Sequence, residues 1–224
     1  TTLLKLTSAY CSFVNGGKLV NPKLIDRIQD SEGNTIFKTE DRYCENCKNI
    51  SFLSDEIPII KDNFKQIFSS QTAYQITSIL EGATKRGTAK KLRDLNLDIA
   101  GKTGTTNKNT DTWFIGFTSD LVVGVYVGYD EPRTLGKFET GAKTAMPIFK
   151  SFINKAVKKE NTRPFKIPEK ITLMVVDSQT GKKVSFNSKK TLIESFKSEK
   201  INQNFDISLK NNNRFNINNI LKFY

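Results

Sequence analysis

Ala100-Gly101-Lys102-Thr103-Gly104-Thr105-Thr106 gathers a cation, hydroxyls and two glycines into seven residues. Its flanks read as strands. Asn96-Leu97-Asp98-Ile99-Ala100 alternates polar and apolar side chains upstream. Downstream, Thr112–Thr118 and Leu121–Tyr129 are rich in aromatic and β-branched residues. The pattern predicts adjacent antiparallel strands over 99–106, 112–118 and 121–129, with an amphipathic helix over 144–158 packed across one face. The cation and hydroxyls then stand at the end of one strand. That arrangement suits a ligand that bears a carboxylate and lies along the strand. A phosphate-binding loop is the competing reading, because Gly101-Lys102-Thr103 supplies the end of G-x-x-x-x-G-K-[ST]. Its first glycine is missing, since Asn96 occupies that position. The residues after Lys102-Thr103 also read as a strand end and turn instead of a helix start.

Lys102-Thr103-Gly104 matches the third motif of the penicillin-binding proteins and serine β-lactamases, and its neighbours sharpen the match. Glu81-Gly82-Ala83-Thr84-Lys85-Arg86-Gly87-Thr88-Ala89 precedes it. Asp111-Thr112-Trp113-Phe114-Ile115-Gly116-Phe117 and Val127-Gly128-Tyr129-Asp130-Glu131-Pro132 follow, and Thr1 to Gly17 reads as a helix ending in an Asn-Gly-Gly turn. At each step the chain resembles the bifunctional class A penicillin-binding proteins, especially the 1A type, over roughly residues 1–165. The resemblance implies an α/β fold: the C-terminal part of a serine transpeptidase/β-lactamase-like domain, an antiparallel sheet with packed helices. The expected organisation is 1–165 as this domain part, 166–185 as a hairpin extension and 186–224 as an Asn- and Lys-rich, disordered tail.

The implied chemistry is acyl transfer. A serine attacks the penultimate D-alanine carbonyl of a peptidoglycan stem peptide, the last D-alanine leaves, and an amine from a neighbouring stem resolves the acyl-enzyme into a cross-link. By the resemblance, Lys102 and Thr105 are the catalytic residues. Lys102 supplies charge toward the carboxylate and a proton relay, and Thr105 gives a backbone N–H to the oxyanion. Thr103, Gly104, Thr106 and Trp113 are the substrate-binding candidates. Thr103 and Thr105 share a strand face and offer hydroxyls. Gly104 removes bulk where another element approaches. Trp113 divides evenly between a groove wall and the core, whereas Phe114 and Phe117 are expected in the core.

Two further family motifs do not appear. No serine has a lysine three residues later, and the one Ser-x-Asn, Ser185-Phe186-Asn187, follows Lys-Thr-Gly when it should precede it. The chain begins Thr1-Thr2-Leu3 without initiator Met, signal peptide or membrane-spanning run. By the resemblance it is expected to be the C-terminal piece of a protein at the periplasmic face of the bacterial inner membrane, anchored through an N-terminal portion. Its expected partners are stem peptides, that N-terminal portion and, only in its presence, β-lactams. The alternative is a non-catalytic remnant of a split or truncated gene, or a module that only binds cell-wall peptide.

The remaining features narrow the chemistry. The chain has no histidine, which rules out a Ser-His-Asp triad or a His-ligated metal within these 224 residues. No metal and no cofactor is expected. The net charge of +12 is spread along the chain, with seven basic and three acidic residues from Phe186 to Tyr224. No nucleic-acid motif accompanies it, so it reads as a solvated basic surface, and no nucleic-acid partner is expected. Cys44-Glu45-Asn46-Cys47 lacks the second half of a zinc site. In the periplasmic setting that the resemblance implies, Cys44 and Cys47 are expected to close a local disulfide, two unpaired thiols being the alternative. The segment 40–63 reads as an irregular insertion. Hairpins are expected over 25–38 and 171–185, and a helix over 70–81 with Ala73, Ile76, Ile79 and Leu80 inward.

Overall fold

The computed structural model describes residues 1–39, 42–47, 57–158, 160, 162–185 and 190–201. The first helix, α1 (Leu3–Val14), starts where the Thr2 hydroxyl accepts the Lys5 N–H at 3.2 Å. It stops at Asn15-Gly16-Gly17, where both glycines have positive φ. A Cβ on Gly17 would lie 2.0 Å from the Phe68 carbonyl oxygen, so only glycine fits that crossing. Next comes the expected hairpin, β1 (Arg27–Gln29) with β2 (Thr35–Lys38).

The stretch read as an irregular insertion is partly ordered into a ribbon. There β3 (Arg42–Cys44) pairs antiparallel with β4 (Ile60–Asp62). The Cys44–Cys47 disulfide closes the turn that leaves β3. The short, polar strands hid this ribbon from periodicity.

Helix α2 (Ser70–Lys85) is capped by Ser69 and runs a turn beyond its expected end. Its inward face also differs from expectation. Ala73, Tyr74, Thr77, Glu81 and Thr84 are buried, whereas Ile79 is 66% exposed. The reason is the neighbour. The helix lies on backbone, and its hydroxyls serve carbonyls there: Thr77 reaches Phe13 O at 3.3 Å, and Thr84 reaches Ile99 O. An apolar stripe would leave those carbonyls unsatisfied.

A 3-10 turn over Lys90–Leu95 leads to the central sheet, β5 (Ala100–Thr105), β6 (Asp111–Phe117) and β7 (Val122–Gly128), antiparallel in the order β5-β6-β7. This is the expected meander. Helix α3 (Ala145–Ala156) crosses one face, with Met146, Phe149 and Ile153 buried against Phe114, Leu92 and Ile99. The Phe114 and Phe149 rings are 4.8 Å apart. Phe114 and Phe117 are fully buried, as expected. Phe152 is 48% exposed, because the stripe that meets the sheet narrows to 145, 146, 149 and 153. The opposite sheet face receives α1, whose Thr7 lies over Gly124.

The C-terminal hairpin departs from expectation. The turn at Asp177–Gly181 forms, with Asp177 Oδ1 accepting the Gln179 and Thr180 N–H groups. Yet the full partner of β8 (Ile171–Asp177) is β9 (Thr191–Lys197), while residues 182–184 touch β8 only briefly through the Val176–Lys183 bridge. Strand β9 lies inside the stretch assigned to disorder by composition. Leu192, Ile193 and Phe196 sit at alternating and paired positions that the surrounding Asn and Lys residues obscured. Residues 202–224 lie outside the described residues.

The sheet and α3 leave no room at Gly116, where a Cβ would come 2.6 Å from the Phe149 ring and 2.7 Å from that of Phe114. Gly116→Ala is therefore expected to destabilise the protein by about 1–3 kcal/mol. Thermal melting against wild type reads the effect.

Candidate functional site

The register decides which groups of β5 face outward. Thr106 N–H donates to Asp111 O at 3.0 Å, so Thr106 and Asp111 form a hydrogen-bonded pair. Pairs in an antiparallel ladder alternate. Gly104–Trp113, Lys102–Ile115 and Ala100–Phe117 are thus the bonded pairs, and the N–H and C=O groups of Gly101, Thr103 and Thr105 point away from β6. The β6–β7 ladder obeys the complementary parity, because Thr118 N–H donates to Leu121 O. Among the described residues β5 is an edge strand, and its outward edge, buried at Gly101, opens to a rim at Thr103 and Thr105.

Several predicted site residues gather on this rim. The Lys102 ammonium folds back to the Thr103 carbonyl at 2.8 Å, which puts its charge at the open edge. The Thr103 side chain shares a face with Thr105, as cross-strand pairing with Phe114 and Thr112 requires. Its hydroxyl lies 3.4 Å from that of Thr88. The Thr105 Oγ1 accepts the Gly141 N–H at 3.1 Å. Its own proton stays available to an outside acceptor, and its backbone N–H points into the rim.

On the other face, Gly104 lies beside Trp113, where an added Cβ would sit 3.1 Å from the Trp113 Cβ. Trp113 is half-buried and stacks on Tyr126 with ring centroids 4.7 Å apart. The Tyr126 hydroxyl donates to Asp111 Oδ1 at 2.8 Å, which fixes that aromatic pair at the mouth of the sheet. Trp113 therefore shares the sheet face of Lys102 and Gly104.

Thr106 is placed differently. Its hydroxyl accepts the Asp111 N–H at 2.8 Å and lies 2.9 Å from the Thr110 hydroxyl, so it closes the β5–β6 turn and stands outside the rim. Cys44 and Cys47 form a disulfide at the β3–β4 ribbon, away from β5 in sequence. Among the described residues no three His, Cys, Asp or Glu side chains converge as a metal site.

Two residues that the sequence did not single out complete the geometry. Gly141 rides over the Gly104–Trp113 pair, where a Cβ would come 2.5 Å from Trp113 O and 2.6 Å from Gly104 O. Asn109, at φ 53°, donates from its side chain to Gly136 O and Lys137 O, while its carbonyl accepts the Leu135 N–H. Together they fasten the loop over residues 129–143 to the β5–β6 turn. An Asn in a turn and a Gly before a helix were visible signals, but their target was not.

These features define the class. A Lys-Thr-Gly strand at a sheet edge, backed by a helix and followed by the Trp-bearing strand, accords with the family match: the chain belongs to the penicillin binding protein transpeptidase domain family, whose family model matches residues 1–154. The resemblance to 1A-type proteins is borne out among curated relatives. Penicillin-binding protein 1A of Rickettsia typhi (strain ATCC VR-144 / Wilmington) is 45% identical over 201 residues, 88% of this chain and 25% of that protein. Penicillin-binding protein 1A of Neisseria flavescens is 34% identical over 171 residues, 75% of this chain and 19% of that protein. The solved structure of penicillin-binding protein 1A from Haemophilus influenzae superposes with a TM-score of 0.73 at 32% identity, covering 88% of this chain and 32% of that one. The chain spans about a quarter of the length of the curated relatives.

Gly141→Ala should press on two backbone carbonyls and displace the mouth end of β5, at a cost of about 1–3 kcal/mol. The check is thermal melting together with amide NMR shifts. The shifts are expected to concentrate at Gly104, Thr105 and Trp113.

Proposed function

We propose that this chain is the C-terminal part of a peptidoglycan D,D-transpeptidase and supplies the Lys-Thr-Gly wall of its active site. The observation that carries the reading is the free rim of β5. One ammonium, two hydroxyls and an outward backbone N–H stand there on adjacent residues of one rigid strand. An extended peptide ending in a free carboxylate can lie along such an edge as an added strand. Lys102, Thr103 and Thr105 then hold the carboxylate. The Thr105 N–H faces the position where the tetrahedral oxyanion forms. Trp113 and Gly104 shape the side toward the acyl donor.

In this reading the nucleophilic serine and its acylation base come from sequence outside these 224 residues, which contain no Ser-x-x-Lys. The serine oxygen adds to the D-alanine carbonyl, and the oxyanion collapses with release of the terminal D-alanine. The ester then passes to an acceptor amine. The wall preorganises charge and donors for both tetrahedral species, and it takes no part in bond formation itself. Without the serine, binding and oxyanion stabilisation alone give only residual catalysis. The whole protein then works at the periplasmic face of the inner membrane, anchored through a segment beyond this chain. Among the described residues no helix is long and apolar enough to cross a membrane. β-Lactams are trapped by the same wall once the nucleophile is present.

Second-order acylation rates with a fluorescent penicillin test the assignment in the full-length protein. Lys102→Ala should lose at least ~10²-fold, the scale of removing one preorganised electrostatic group. Thr105→Val should lose less, because it keeps the backbone N–H and gives up only the hydroxyl and its Gly141 bond. Thr105→Pro should be far worse, since it deletes the N–H itself. Equal behaviour of valine and proline would refute the backbone role, and normal acylation of Lys102→Ala would refute the wall.

The isolated chain should take no covalent label. Stoichiometric, denaturation-resistant labelling of it would mean that the nucleophile lies within these residues.

A further inference from the structure

Behind the rim lies a partly buried ionic chain, anchored on buried Glu81, that the transfer chemistry does not use. Glu81 on the inward face of α2 is 6% exposed. Its Oε1 is 2.7 Å from Lys85 Nζ, one turn on, and the same ammonium lies 3.7 Å from Asp98 Oδ1, just before β5. Arg86 on the same helix completes the charged groups that face Glu81. Burial pushes the Glu81 carboxyl above its ordinary range, and the Lys85 contact pulls it back. One helical turn away, Thr84 Oγ1 lies 2.8 Å from the Glu81 carbonyl and also against the carbonyl of Ile99, so its single proton bridges helix and strand.

Ile99 has the same ladder parity as Gly101, Thr103 and Thr105, so its carbonyl belongs to the outward edge of β5. Thr84 therefore satisfies the buried outward carbonyl that immediately precedes β5, upstream of the open rim. Buried ion pairs contribute little net stability, because desolvation offsets their attraction, but their directionality fixes how two elements sit against each other. An apolar face on α2 would let the helix slide along β5. The hydroxyl bridge and the Glu81–Lys85–Asp98 chain do not.

We propose that Glu81, Thr84 and Lys85 are positioning residues that set the height and tilt of the Lys102–Thr105 strand relative to the nucleophile. The proposal rests on the transpeptidase reading above. None of the three touches the rim's substrate-facing groups. They act through the start of β5, three residues from Lys102, where a shift near 1 Å is enough to slow a preorganised reaction severely.

The experiment is stopped-flow acylation of the full-length protein by a fluorescent penicillin, resolved into the pre-acylation dissociation constant and the acylation rate constant. Thr84→Val and Glu81→Gln should lower the rate constant by roughly tenfold or more and change the dissociation constant by less than about twofold, as misplacement of a preorganised group demands. Thr84→Ser, which keeps the hydroxyl, should restore the rate. Ile153→Val, a core truncation under α3, is the control for stability. It should acylate within about twofold of wild type even where it melts lower than Thr84→Val, because the rim's geometry is untouched. If Glu81→Gln yields no folded protein, the Thr84 pair decides alone.

Wild-type rate constants in Thr84→Val would overturn the proposal, and so would a loss in Ile153→Val as large as in the α2 variants. A wild-type protein that takes no penicillin would overturn the transpeptidase reading together with this one. A labelled wild type with equally labelled variants overturns only the positioning role.

Discussion

One constraint organises this chain: the edge of β5 must stay unpaired and yet not move. Its outward N–H and C=O groups are what a peptide can recognise, and an unpaired edge is normally a liability that proteins cover or blunt. Among the described residues the edge is closed at its start by Thr84 on Ile99 O, stays buried at Gly101 and opens from Thr103 to Thr105. The Lys102 ammonium rests on the Thr103 carbonyl, which satisfies that group and keeps a charge at the mouth. Rigidity comes from the far side. Strand β6 pairs with β5 along its whole length, and Phe114 and Phe149 pin β6 to α3.

The remaining elements brace this arrangement from two directions. Gly141 and Asn109 tie the loop over 129–143 to the mouth end of the sheet, where Thr105 needs a fixed hydroxyl. On the far side of α2 the β8–β9 hairpin is attached by polar contacts. Gln75 donates to Ser195 O at 3.0 Å, Lys197 donates to the Thr72 hydroxyl at 2.7 Å, and Gln71 donates to Glu169 O at 3.0 Å. The helix that holds the start of β5 is thus itself held on its outer side. These contacts are directional, and each is worth about 0.5–1.5 kcal/mol net. They set orientation more than they add stability.

Much of this was legible in the sequence, and the reasons differ by element. The β5–β7 meander announced itself through β-branched runs with short turns, and the rim followed from Lys102-Thr103-Gly104 in its neighbourhood. Helix α1 and its stop were legible because Asn15-Gly16-Gly17 demands positive φ. The inward face of α2 was not, because periodicity counts Ile76 and Ile79 as core and cannot know that the helix lies on carbonyls. For the same reason Thr84 and Glu81 were not among the residues expected inward. Strand β9 was hidden by composition: a few apolar residues among Lys and Asn pair only because β8 is waiting for them. The turn after Thr105 was legible, but the part that the Thr106 side chain takes in closing it was not. Its hydroxyl, adjacent in sequence to Thr105, is spent on Asp111. Gly141 was visible only as a glycine before a helix, since its relation to Gly104 exists only once the loop has folded back.

The central claim is that the outward N–H of Thr105 is the group that meets the developing oxyanion. A crystal structure of the full-length protein acylated by a penicillin measures this directly. The account predicts the acyl carbonyl oxygen at about 2.7–3.1 Å from the Thr105 nitrogen, with the bound carboxylate near Lys102 and Thr103. An acyl oxygen turned away from β5, or a Thr105 N–H bonded to β6, would contradict it.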